Sequence, residues 1–162
     1  HLQVLFIDDN NISDLSPLSQ NTNLLWLGLG DNKIQNISAL KDMTNLKRLW
    51  LGGNQIQDIN PLENTTSLRK LHLASNQIAD ISVVSKLYQL ENIYLADNLI
   101  TDITPLYNLS NLHILNAGLD DQESPLESQH WYLQNNNITS CDMSNIRNLP
   151  TIFFCSSLQS HN

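Results

Sequence analysis

His72, Ser75 and Asp97 supply the residue types of a Ser–His–Asp set, the arrangement in which an imidazole takes a hydroxyl proton and a carboxylate orients the imidazole. Such a set also needs a pocket and N–H donors waiting for the oxyanion. The residues around these three offer neither a lid, a pocket nor an oxyanion donor, so no enzymatic activity is expected. The other histidines (His1, His113, His130 and His161) lack the i,i+4 pairing and the ligand spacing that zinc requires. Asp120, Asp121, Glu123 and Glu127 are hard oxygen ligands in type, but the spaced D-x-[DN]-x-[DN]-G pattern of a calcium loop is missing, and they read as a solvated acidic loop. Gly28, Gly30, Gly52 and Gly53 fall in strand and turn positions and form no phosphate loop. Cys141 takes an apolar slot, Cys155 follows a later strand, and no disulfide between them is expected. Neither a metal nor a cofactor is implied. Five N-x-S/T sequons, at Asn11, Asn36, Asn64, Asn108 and Asn137, are too close to chance in a chain so rich in Asn, Ser and Thr to carry an argument.

Recognition chemistry has better candidates. Phe6, Trp50, His72, Tyr94, Tyr132 and Phe153 occupy one recurring position, in a chain whose aromatic content is only 6%. Two residues earlier in their own repeats stand Trp26, Arg48 and Lys70. Trp, Tyr and Arg dominate the energetics of protein interfaces, and large exposed apolar patches usually mark contact sites. Cross-strand stacking alone stabilises a sheet by a few tenths to ~1 kcal/mol per pair, which accounts for two or three of these rings but less well for Trp26 and Trp50.

The elements that position these residues follow from a strict period. Asn10, Asn32, Asn54, Asn76 and Asn98 return every 22 residues, each inside the frame LxxLxLxxNxIxxIxxL. A period of this length with this consensus is that of a leucine-rich repeat. The alternating leucines make a short strand with one side in the core. The asparagine ends the strand where the backbone cannot pair with itself, and its amide can donate to one turn and accept from another. These asparagines, with Asn136 further along, are read as a structural ladder. The isoleucines that follow are three apart and bring the chain back on the outer side, where 22 residues per turn leave room for extended segments or single 3₁₀ turns. Pro17, Pro61 and Pro105 recur there. The fold expected is a mostly β solenoid of the α/β leucine-rich-repeat class, a right-handed superhelix with a concave parallel sheet.

Eight strands are counted: Leu2 to Ile7, Leu24 to Leu29, Leu46 to Leu51, Leu68 to Leu73, Leu90 to Leu95, Leu112 to Ala117, Ser128 to Leu133, and Leu149 to Phe154. The register breaks over 112–130. The sixth repeat reads as shortened, with Asp120 in the asparagine slot, and the seventh recovers at Asn136. Residues 1–162 are expected to form one domain of about eight repeats, belonging to a longer chain because solenoids need capping repeats. The net charge of −8 suits no phosphate backbone, so nucleic acid is not expected as a partner. No run approaches the ~20 apolar residues of a membrane span.

Segments such as NLKRLWLGGNQIQDINPL (Asn45 to Leu62) and QLENIYLADNLITDITPL (Gln89 to Leu106) resemble the 22-residue repeats of bacterial internalins, surface proteins that grip host receptors with concave aromatic residues. The same repeat length occurs in an intracellular regulatory subunit of protein phosphatase-1. The resemblance implies a protein-recognition module binding a protein or peptide through Phe6, Trp50, His72, Tyr94, Tyr132 and Phe153, and the neighbouring outward positions add Trp26, Arg48 and Lys70 to the expected binding face. It implies a secreted or cell-surface location, with a cytoplasmic one as the alternative. A structural scaffold of a larger intracellular assembly, contacting partners through its ends and convex side, is the other functional class.

Overall fold

The computed structural model describes residues 2–112 and 136–138. Five short strands, β1 (Val4–Phe6), β2 (Trp26–Gly28), β3 (Arg48–Trp50), β4 (Lys70–His72) and β5 (Asn92–Tyr94), form one parallel sheet in chain order. The register is the sequence period itself: Leu5, Leu27, Leu49, Leu71 and Ile93 lie side by side, and so do the residues flanking them. After each strand the chain crosses to the outer side and makes one 3₁₀ turn: Ser16–Leu18, Ser38–Leu40, Asn60–Leu62, Ser82–Lys86 and Thr104–Leu106. This is a leucine-rich-repeat solenoid.

Burial is set by the frame. In the second turn Leu24, Leu27, Leu29, Ile34, Ile37, Leu40 and Met43 are inaccessible or nearly so, and the third and fourth turns repeat the pattern. Burying such a side chain stabilises the fold by about 1.5–3 kcal/mol. The 3₁₀ turns are held by a second periodic device that the leucine pattern conceals. Asp14, Asn36, Asp58, Asp80 and Asp102 each accept, through Oδ1, the backbone N–H two residues ahead, at 2.7–2.8 Å. Pro17, Pro61 and Pro105 follow at the start of their turns, where a missing N–H costs nothing.

Each interior asparagine ties two turns together. Asn54 Nδ2 donates to the carbonyls of Leu51 and Gly52 in its own turn and of Leu29 in the turn before, and its Oδ1 accepts the N–H of Ile34. Asn32, Asn76 and Asn98 repeat these bonds. Asn10 is exposed, and its amide donates to Ile7 and Asp8 of its own turn. The residue before each asparagine (Asp9, Asp31, Gly53, Ser75, Asp97) has φ between 49° and 67°, the left-handed conformation that turns the chain out of the sheet.

The sixth rung differs from the expectation. Asn136, not Asp120, takes the place beside Asn98: its Oδ1 accepts the N–H of Ile100 at 2.9 Å and its Nδ2 donates to Leu95 at 2.9 Å. The first of these bonds spans 36 residues where the regular rungs span 20. Asn137 N–H then bonds Ile100 and Ile138 is buried, as in a regular turn. A rung needs a side chain that both donates and accepts, and the amide of Asn136 does both. Asp120 itself, the acidic stretch to Glu127, the strands counted at 112–117, 128–133 and 149–154, and Cys141 and Cys155 lie outside the described residues.

Candidate functional site

Two columns of outward side chains run across the concave sheet. Strand pairing sets Val4, Trp26, Arg48, Lys70 and Asn92 in one, and Phe6, Gly28, Trp50, His72 and Tyr94 in the other. They are two residues apart on each strand and so share one face. Phe6 is 52% exposed and Trp26 37% exposed, unusual for large apolar side chains in a sheet whose other face is sealed. Arg48, Trp50, Lys70, His72 and Tyr94 are half-buried among their neighbours.

The rings organise into three contacts. Phe6 reaches across β2 to Trp50, with centroids 5.4 Å apart and planes tilted by 55°. His72 stacks on Tyr94 at 4.9 Å. The Arg48 guanidinium lies 4.6 Å from the centre of the Trp26 ring, a cation–π contact. Gly28 and Gly52 make the first two possible. A Cβ on Gly28 would stand 2.3 Å from Phe6 Cδ1, and one on Gly52 would stand 2.4 Å from His72 Nδ1. The space beside the rings is thus occupied at these two glycines by the rings themselves. A partner meets the outer surface of a pre-packed layer.

Electrostatics polarise this face. Exposed Lys47 and Arg69 precede Arg48 and Lys70 on adjacent strands, so half of the chain's eight Lys and Arg gather where β3 and β4 begin. Arg69 is paired with Glu91 at 3.1 Å. Lys47 and Arg69 extend the basic pair expected at Arg48 and Lys70, and the repetition of a basic dipeptide at one period is the sequence signal for them. At the opposite ends of the strands stand Asp8, Asp9 and Asp31. Asp8 Oδ1 accepts the Gly30 N–H at 2.7 Å, and Asp31 packs its carboxylate against Gly53. Burial pushes the His72 pKa down, while the Asp31 carboxylate pulls it up less strongly. Tyr132 and Phe153 lie outside the described residues. Among the described residues no group of three or more His, Cys, Asp and Glu side chains converges as a metal-binding cluster, and no helix is long and apolar enough to cross a membrane.

Residues 22–64 and 66–108 match the family of Leucine Rich repeats (2 copies). Among solved structures the chain is similar to an internalin (inlF) from Listeria monocytogenes, at 35% identity and a TM-score of 0.58, over 67% of this chain and 38% of that one. It is similar to an internalin C2 from the same organism at 29% identity and a TM-score of 0.63, over 94% of this chain and 70% of that one. A third likeness, at 28% identity and a TM-score of 0.57, is to TLR13 in a complex with a single-stranded RNA, over 68% of this chain and 18% of that protein. Comparison with curated protein sequences gives no match. The chain belongs to the leucine-rich-repeat family and resembles internalins in its repeats. Its class is that of the general protein–protein interaction module.

Proposed function

We propose that this chain recognises a protein or peptide partner on its concave face, without catalysis. The observation that carries this reading is the layer of rings and cations at Phe6, Trp26, Arg48, Trp50, Lys70, His72 and Tyr94, on positions the repeat frame leaves free. The core leucines are buried on the other side of the sheet, and cross-strand stacking of a few tenths to ~1 kcal/mol per pair is a small return for so many large exposed side chains. Each aromatic side chain can cover ~150–250 Å², and three or four would fill much of a partner footprint of ~800 Å². The net charge of −8 favours a protein partner over a nucleic acid.

The test compares Trp50→Ala and Tyr94→Ala with Gln57→Ala, an exposed control off the strands, in capture experiments with whatever partner co-purifies. Loss of a central anchor typically costs ~2 kcal/mol or more, about thirtyfold in affinity. If both concave variants stay folded and bind like wild type, the rings are a packing feature. Contact through the ends and convex side of the solenoid then becomes the better account.

A further inference from the structure

We infer that the partner segment is itself charge-polarised: an extended stretch with acidic residues at one end, basic residues at the other and apolar or aromatic residues between. The inference rests on the concave-face reading and adds the chemistry of the occupant. Lys47, Arg48 and Lys70 form a positive corner at the start of β3 and β4, and Asp8, Asp9 and Asp31 form a negative corner at the far ends of the first two turns. Arg69, beside Lys70, pairs with Glu91 and is left out of this corner. The line between the corners passes over the Phe6–Trp50 pair.

The dimensions fit a short segment. The corners are about five residues apart along the strands and two strands apart sideways, which at ~3.3 Å per residue and ~4.8 Å per strand makes a diagonal of roughly 19 Å. An extended chain covers that distance in about six residues. A segment laid the other way round would put like charges together at both ends, and such juxtaposition is what suppresses wrong partners and registers at interfaces. A uniformly acidic or uniformly basic segment would satisfy one corner and be repelled by the other. The same opposition disfavours single-stranded RNA, whose phosphates would suit the positive corner and meet Asp8, Asp9 and Asp31 at the other.

A displayed library of random twelve-residue peptides, panned on the intact chain, tests this directly. Enriched peptides are expected to carry Asp or Glu and Lys or Arg on opposite sides of roughly four to six apolar residues, by the diagonal above. Lys47→Gln/Lys70→Gln should weaken them about tenfold, and so should Asp9→Asn/Asp31→Asn, in which asparagine tolerates the left-handed backbone. Each pair of substitutions should lose its effect on a peptide whose matching end has been neutralised, the signature of a direct pairing rather than a fold defect. Enrichment that depends on Trp50 but shows no segregation of charge would overturn the inference and leave the concave face standing. Peptides indifferent to Trp50→Ala and Phe6→Ala, or no enrichment at all, would overturn both. A labelled single-stranded RNA of about thirteen nucleotides that outcompetes the best peptides would also overturn both, in favour of a nucleic-acid ligand.

Discussion

Asn54 couples adjacent turns in a way no leucine can, because one amide serves carbonyls of two turns and the N–H of Ile34 at once. A leucine truncated to alanine leaves a hole that neighbours can partly close. An asparagine truncated to alanine leaves buried backbone groups with no water to turn to, at about 1–3 kcal/mol each. Asn54→Ala should therefore cost ~2 kcal/mol or more in a urea melt, whereas Gln57→Ala, whose exposed amide bonds only Gln77, should cost under ~0.5 kcal/mol. Equal midpoints would remove the ladder from the account of stability. Asn54→Asp is the sharper probe: it keeps the acceptor and the shape, loses the donor, and should be no milder than alanine. His72 carries a different signature. Its pKa lies below the ordinary 6.5 because burial disfavours the imidazolium stacked on Tyr94. Between the folded and unfolded pKa values the unfolded chain binds more protons, so this contribution is complete above 6.5 and is lost as pH falls through the folded value. Urea melts at about pH 7.5 and 5.5 should show a loss of stability on acidification that is smaller in His72→Phe.

The repeated turn was legible at this level because packing and spacing coincide: leucines that alternate and return every 22 residues can be buried only by a parallel strand beside its own copy. Three features escaped, each for a physical reason. Asp14, Asp58, Asp80 and Asp102 recur at the period, with Asn36 in the same slot, but an exposed acid on an outer turn reads equally well as a solvated charge, so the letter alone does not announce the Asx bond it makes. The filling of the Gly28 and Gly52 spaces depends on which way Phe6 and His72 point, and a linear sequence does not encode rotamers. Counting one period from Asn98 lands on Asp120, whereas a rung requires a side chain able both to donate and to accept; Asn136 meets it after a 36-residue span. A variant pair separates the two. Asn136→Ala should destabilise by ~1 kcal/mol or more, the lower part of the range because the residue is half-buried, while Asp120→Ala should change little. Thermal melts in which Asp120→Ala is the more damaging would return the rung to Asp120.

Sixteen acidic residues against eight Lys and Arg give the chain a pI near 4.8 and make it repel itself at neutral pH. A solenoid feels this in a particular way, since each turn contacts only its neighbours and no remote part of the chain can offset a locally repulsive stack. Acids also recur in register: Asp58, Asp80 and Asp102 follow one another at the period along the outer side. The ion pairs Arg69–Glu91 and Lys86–Glu63 are exposed, and such pairs contribute ~0–1 kcal/mol, less with salt. Repulsion should therefore outweigh attraction in the response of stability to ionic strength. Raising salt from about 10 mM to about 150 mM shortens the screening length from ~30 Å to ~8 Å, so that neighbouring turns still sense each other while distant ones do not. At pH 7 the melting temperature should rise by roughly 2–4 °C over that range, the equivalent of ~1 kcal/mol or less in a domain of this size. Near pH 4.8 the rise should shrink to whatever general effect salt has on hydrophobic burial, because net repulsion is gone. The concave face responds with the opposite sign, since charged corners that attract a polarised segment are weakened by the same screening. Salt should thus raise the melting temperature at pH 7 and loosen the partner in one titration. A melting temperature that falls alongside the affinity would mean that attractive pairs, not the excess of carboxylates, govern the electrostatics of the stack.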